Sequence, residues 1–185
     1  AASDVYKRQD LHDVVHVQAK QSLAQNALIT QAGTHVVLDC AVEGLDPRDN
    51  LVFRAIDVAE QVCECPVVAS GMALVIEIEK RIPAGGGLGG GSSDAAAMLK
   101  AYAQLTGIDV LDERIVAVAR MLGADVAFFL HGKTALMGGR GDIFERALPP
   151  LAAPIVLMGS GDGLSTATVS VSYTHLRAHE TCADL

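Results

Sequence analysis

Residues 77–102 read EIEKRIPAGGGLGGGSSDAAAMLKAY. Glycine loses more conformational freedom on folding than any other residue. Two glycine triplets around Leu88, set between an alternating apolar segment and an alanine-rich run, therefore need a physical reason. A polyphosphate supplies one, because it is wide, heavily charged and takes many N–H donors at close range. Backbone without Cβ atoms can wrap such a group and turn φ positive where required. A helix opening after the loop adds unpaired N–H groups and the positive end of its dipole. Ser92 and Ser93 stand where that helix starts, with hydroxyls placed for a phosphate or a magnesium ion. Ala95, Ala96 and Ala97 are small enough to let the first turn sit close without blocking a ligand.

Other readings of the glycines fit less well. A flexible linker is polar and free at both ends, whereas this run is pinned between a strand signal and a helix signal. The phosphate loop G-x-x-x-x-G-K-[ST] is absent, since no lysine precedes Ser92. The dinucleotide pattern G-x-G-x-x-G matches Gly85, Gly87 and Gly90, but residues 81–84 separate it from the strand, and it should open a βαβ unit.

Outward from the loop, residues 72–79 alternate cleanly, with Leu74, Ile76 and Ile78 on one face and Val75, Glu77 and Glu79 on the other. Such alternation predicts an antiparallel sheet with one face covered by helices. Residues 12–19 and 34–42 are rich in β-branched side chains and read as strands, with a turn or weak strand between them. A helix over 50–63 follows an Asp49/Asn50 cap, with Leu51, Ala55, Val58, Ala59 and Val62 on its apolar face. A second helix over 93–105 buries Met98, Ala101, Tyr102 and Leu105. A third over 112–122 starts at an Asp cap and stops before Gly123. After a short apolar segment at 126–130, strands are predicted at 134–137, 143–147 and 154–158. The order reads as α+β.

Composition narrows the function. Half of the 185 residues are apolar and 19% are charged, too apolar a balance for a disordered chain. The net charge of −8 argues against a nucleic-acid surface. No apolar run approaches the roughly 20 residues of a membrane span. Cys40, Cys63, Cys65 and Cys182 lack the spacing of a metal site and read as reduced thiols of a cytoplasmic protein. Nothing at the start has the apolar segment of a signal peptide. The oligomeric state is not legible.

The segments PAGGGLGGGSSDAAA, RDNLVFRA, LGADVAFFLHG and GGRGD, taken with their spacing, resemble the GHMP small-molecule kinases. The likeness runs from about residue 11 to about residue 170. Within that family it is nearest to the branch acting on a cytidine-diphosphate-linked methylerythritol in the non-mevalonate isoprenoid pathway. The resemblance implies an N-terminal domain like the second domain of ribosomal protein S5, with a mixed or antiparallel sheet packed on helices, over residues 10–150. Residues 151–171 would start a ferredoxin-like C-terminal domain that is mostly missing. Residues 1–9 and 172–185 read as tails foreign to the protein.

The implied activity is ATP-dependent phosphorylation of a small-molecule alcohol, with ATP and Mg²⁺ as cofactors. By the same resemblance, ATP is held by Pro83, Gly85, Gly86, Gly87, Leu88, Gly89, Gly90, Gly91, Ser92 and Ser93, with Asn50 and Lys80 lining the nucleotide site. Asp125 matches the catalytic aspartate that takes the proton of the substrate hydroxyl, and Thr166 falls near the substrate. From its own residues, Asp125 reads as an N-cap of the segment 126–130, Lys80 as a solvated strand-end charge, and Asp94 as a first-turn residue favoured by the helix dipole.

Ala127 stands where the family usually has proline. The family's N-terminal lysine, its cytidine-recognising segment and its second glycine motif are not matched, so this polypeptide is expected to be inactive by itself. The alternatives are a GHMP kinase acting on homoserine, mevalonate or a sugar, a dinucleotide-binding module, or a fragment that binds nothing.

Overall fold

A computed structural model describes residues 4–6, 11–21, 26–40, 45–84, 87–150 and 156–157. The elements in chain order are β1 (Asp4–Tyr6), β2 (Val14–Lys20), β3 (Leu28–Ile29), β4 (His35–Cys40), α1 (Leu51–Cys63), β5 (Ala73–Glu79), α2 (Gly90–Thr106), α3 (Glu113–Leu122), α4 (Ala124–His131), β6 (Ala135–Gly138) and β7 (Ile143–Ala147). They form an α+β fold with two sheets. The larger has the order β2-β5-β4-β3 and the smaller β1-β6-β7. β1 lies within the segment read as a foreign tail and pairs antiparallel with β6.

The larger sheet is mixed. β5 pairs antiparallel with β2, Val14 opposite Glu79, and parallel with β4, Asp39 opposite Glu77. The parallel pair is a correction to the antiparallel sheet expected from the alternation of β5. A strand with one face buried alternates in the same way beside either kind of neighbour, and α1 supplies the crossover a parallel pair needs. The alternation does identify the buried face: Leu74 and Ile76 are fully buried and Ile78 nearly so.

Against that face pack Ala55, Ile56 and Ala59 of α1 and Ala95, Met98, Leu99 and Tyr102 of α2. Each fully buried large apolar side chain contributes roughly 1.5–3 kcal/mol. Tyr102 donates its hydroxyl to the Cys65 carbonyl at 2.6 Å, so its polar end is satisfied inside the core. The apolar face of α1 is turned from the predicted one: Val52, Phe53, Ile56 and Cys63 are buried, while Leu51, Val58 and Val62 are half-buried at its edge. α1 meets both α2 and α3 and shares a core with the sheet, so more than one stripe is covered. Leu105, expected inside, is 49% exposed on the last turn of α2. Residues 154–158 fall mostly outside the described residues; Val156 and Leu157 are not in a strand.

One buried anion ties the β3–β4 hairpin to α1. The Glu60 carboxylate, 2% exposed, accepts from the Thr30 hydroxyl at 2.6 Å, the Thr34 hydroxyl at 2.5 Å and the Val67 N–H at 2.8 Å. No sequence signal singles it out, because its position on α1 reads as part of a solvated face. Glu60→Ala would strand three buried donors, and about 3 kcal/mol of unfolding free energy is expected to be lost. Urea titration measures it; a loss under about 1 kcal/mol would show that water replaces the carboxylate.

Candidate functional site

β5 ends at Glu79, and the chain then runs through Lys80, Arg81 and Ile82 into the glycine loop. Gly85 and Gly86 lie outside the described residues. α2 begins inside the second glycine triplet, three residues before the predicted start. Its N-cap is Gly89 at φ 71°, and Gly90, Gly91 and Ser92 form its first turn. The left-handed turn at Gly89 suits a residue without a Cβ. An added Cβ there would also lie 3.1 Å from the Phe129 ring of α4. At Gly90 it would lie 3.0 Å from the Ile82 side chain and 3.3 Å from the Asp13 carboxylate. Serines near a helix start predict a later beginning from propensity alone, whereas the close approach of α4 and Ile82 selects the glycines.

A cavity of about 330 Å³ opens in front of this helix start. Its described lining includes Asn50, Lys80, Pro83, Gly87, Leu88, Gly89, Gly90, Gly91 and Ser92, together with Cys40, Leu45, Asp49, Leu51 and Asp94. The first N–H groups of a helix have no acceptor within it, and Gly90, Gly91 and Ser92 occupy those positions at the cavity wall. Leu45 and Leu88 are partly exposed and give the rim an apolar side. Asn50 caps α1, accepting from the Val52 N–H at 2.9 Å. Cys40 has its thiol pKa pushed up by burial, which leaves it a poor nucleophile.

Ser93 is not part of the described lining. Its hydroxyl donates to the Gly90 carbonyl at 2.9 Å, and its N–H donates to the Gly89 carbonyl at 2.8 Å. Asp125 likewise stands outside the lining. It lies in the first turn of α4, whose N-cap is Gly123, so it is not itself the cap. Among the described residues no side chain is hydrogen-bonded to its carboxylate. Ala127 is buried within α4, and its N–H donates to the Gly123 carbonyl at 3.4 Å, a bond that proline could not make. Thr166 lies outside the described residues.

Below the loop sits an ion cluster that sequence reasoning missed. Lys80 Nζ is 2.5 Å from Asp13 Oδ2 and 2.8 Å from Asp94 Oδ2, with all three side chains mostly or fully buried. Lys80 is therefore no solvated strand end: β5 carries it inward beside α2. Asp94, read as a dipole-favoured first-turn residue, is 4% exposed and paired with that lysine. Asp13 also takes the Arg81 N–H at 2.5 Å and the Ile82 N–H at 2.7 Å on Oδ1.

These partners move the pKa values apart. Burial works to raise that of Asp13, but the Ile82 and Arg81 amides and the Lys80 ammonium outweigh it and hold the group below its ordinary 3.8. Burial also dominates at Asp94, where Lys80 only partly offsets it, and the pKa rises. At Lys80 burial is outweighed by the two carboxylates, and the ammonium holds its proton more tightly than usual. In the second helix pair nearby, Gly89 packs on Phe129, and Lys100 donates to the Phe129 carbonyl at 2.7 Å, which holds α4 against α2.

Opposite pH effects on stability follow at the two carboxylates. The Asp13 contribution is present above 3.8 and disappears as pH falls through its lowered folded value. Asp94 favours the fold most below 3.8, and that contribution is lost as pH rises through its raised folded value. In melting curves taken below pH 5, the stability gap between wild type and Asp13→Asn is expected to shrink on acidification. The gap between wild type and Asp94→Asn should move towards the wild type. Parallel shifts in both variants would contradict the assignment.

Comparison with known proteins agrees with this architecture. Residues 50–133 match the GHMP kinases N terminal domain. A protein of Mycolicibacterium gilvum named 4-diphosphocytidyl-2-C-methyl-D-erythritol kinase is 41% identical over 94% of this chain and 54% of its own length. One of the same name from Thiobacillus denitrificans is 34% identical over 83% of this chain and 49% of its own length. The chain thus spans about half the length of the curated relatives it matches. A crystal structure of 4-(cytidine 5'-diphospho)-2C-methyl-D-erythritol kinase superposes with a TM-score of 0.53 at 34% identity, covering 78% of this chain and 43% of that one. Homoserine kinase from Cytophaga hutchinsonii shares the fold at a TM-score of 0.52 and 19% identity, covering 89% of this chain and 56% of that one. Residues 50–133 thus match the N-terminal domain of the GHMP kinases, and the α+β fold of the chain is similar to that of the solved kinase.

Proposed function

We propose that this chain is part of an ATP-dependent kinase that phosphorylates the 2-hydroxyl of 4-diphosphocytidyl-2-C-methyl-D-erythritol in the non-mevalonate isoprenoid pathway. The observation that carries the reading is the cavity at the start of α2, whose wall includes Gly90, Gly91 and Ser92, the residues whose N–H groups have no acceptor within the helix. The names of the relatives point to the same chemistry. The topology speaks against a dinucleotide module: α2 leads into α3 and α4, and the next strand, β6, belongs to the other sheet. No βαβ unit therefore starts at the loop.

In this reading Pro83, Gly85, Gly86, Gly87, Leu88, Gly89, Gly90, Gly91 and Ser92 surround the ATP phosphates, with Ser93 holding the helix turn behind them. Asn50 and Lys80 border the nucleotide. The cradle fits such a group, since a Cβ at Gly89 or Gly90 would crowd Phe129 or Ile82 and force the wall to shift. Magnesium bound with the nucleotide would offset negative charge on its phosphates, and Ser92, which lines the cavity, is assigned to it.

Asp125 accepts the proton of the substrate hydroxyl as that oxygen forms its bond to the γ-phosphorus. The bond between that phosphorus and the bridging oxygen breaks, and ADP leaves. Positioning and charge neutralisation do most of the work in such a transfer. Asp125 lies in the first turn of α4, and α4 abuts the loop through Phe129 and Gly89. Thr166 is assigned to the substrate. The compartment is the cytoplasm, in keeping with the free thiols of Cys40, Cys63 and Cys65. Among the described residues no helix is long and apolar enough to cross a membrane.

Full-length protein supplied with labelled ATP and, in turn, the cytidine-diphosphate substrate, homoserine, mevalonate and a sugar is expected to label only the first. In that protein Asp125→Asn should lower kcat about a thousandfold while nucleotide affinity stays within about threefold. Unchanged turnover would remove Asp125 from the chemistry.

A further inference from the structure

On the footing of that nucleotide reading, we infer that Asp13 is a positioning residue for the glycine loop: one buried carboxylate fixes both where the loop leaves β5 and where α2 begins. Sheet register sets it in place. Val14 pairs with Glu79, so Asp13, one residue earlier, falls beside Lys80, one residue later. Three consecutive residues then converge on it. Oδ2 accepts from Lys80 Nζ at 2.5 Å, and Oδ1 accepts the Arg81 N–H at 2.5 Å and the Ile82 N–H at 2.7 Å. The side chain is wholly buried.

The far end of the loop returns to the same point. Gly90, in the first turn of α2, sits so near that a Cβ would lie 3.3 Å from Asp13 Oδ2 and 3.0 Å from Ile82 Cγ2. Lys80 carries the tie onward to Asp94 at 2.8 Å, one turn into α2. Ile82 and Gly90 are thereby held together at the base of the loop, which restricts the helix-start amides at Gly90 and Gly91 before any ligand arrives. Donors held in place bind more tightly than donors that must be ordered on binding. Asp13 touches neither nucleotide nor substrate in this arrangement; it acts through the backbone of residues 81 and 82 and through Lys80.

The direction of the effect separates this role from its opposite. If Asp13 merely held Lys80 away from an incoming anion, removing the carboxylate would free a cation and tighten binding. As a clamp, its removal loosens the loop and weakens binding. The 185-residue chain is titrated calorimetrically with ATP in excess magnesium, at a temperature where circular dichroism shows each variant folded.

Asp13→Ala is expected to weaken binding at least about tenfold. Asp13→Asn keeps an acceptor for both amides and should recover most of the affinity, to within about threefold of wild type. Gly90→Ala, which forces α2 off Ile82 from the other side, should lose about as much as Asp13→Ala. If Asp13→Ala does not fold, Gly90→Ala and Asp13→Asn decide.

Affinity in Asp13→Ala or Gly90→Ala within about twofold of wild type, or tighter, would overturn the positioning role and leave the nucleotide reading standing. Recovery of no affinity by Asp13→Asn would refute the amide clamp as the cause. A wild-type chain that binds no ATP would overturn the nucleotide reading, and this role with it.

Discussion

The Lys80 ammonium held between Asp13 and Asp94 is the interaction on which the site depends. It joins three parts of the chain: the residue before β2, the exit of β5 and the second turn of α2. Burying three charges is costly unless every one is met by good geometry. Here Asp13 accepts two backbone amides besides the lysine, and no buried side-chain polar atom among the described residues lacks a partner. The cluster carries two carboxylates for one cation. Lys80 is engaged inside the protein, and under the proposed nucleotide reading the task of meeting an anion falls to main-chain N–H groups, which bring no net charge and need no counter-ion.

That division of labour explains why glycine is concentrated where it is. The backbone has to reach both a buried carboxylate below and an open cavity above, within one turn of helix. Gly89 supplies a left-handed cap under Phe129, and Gly90 lets α2 settle on Ile82 and Asp13. Side chains at those two positions would separate α2 from α4 or from the β5 exit. The packing that places α4, and with it Asp125, begins at the same glycines. Conformational entropy lost there on folding is offset by contacts that no larger residue permits.

Much of this was legible in the sequence. β5 alternates without a fault, Asn50 and Asp112 cap their helices as their residue types suggest, and the glycine loop stands out by composition alone. What stayed hidden depends on neighbours distant in sequence. Whether β4 runs parallel or antiparallel to β5 is decided by the α1 crossover, not by the strand. Asp13, Lys80 and Asp94 each look like ordinary surface charges until strand register and helix placement bring them together. Glu60 is concealed in the same way, since a single carboxylate among alternating helix residues carries no mark of the two threonines and the amide that enclose it. The early start of α2 was missed because helix propensity disfavours glycine, and tertiary contact outweighed propensity.

The most direct measurement is amide NMR of the isotopically labelled chain titrated with ATP and magnesium. Convergence of the loop and helix-start amides on a triphosphate predicts the largest, saturable shifts at Gly87, Gly89, Gly90, Gly91 and Ser92, with smaller ones on α3 and β7. Saturable shifts that spare those amides and gather elsewhere, or no shifts at all in a folded chain, would contradict a nucleotide site at the glycine loop.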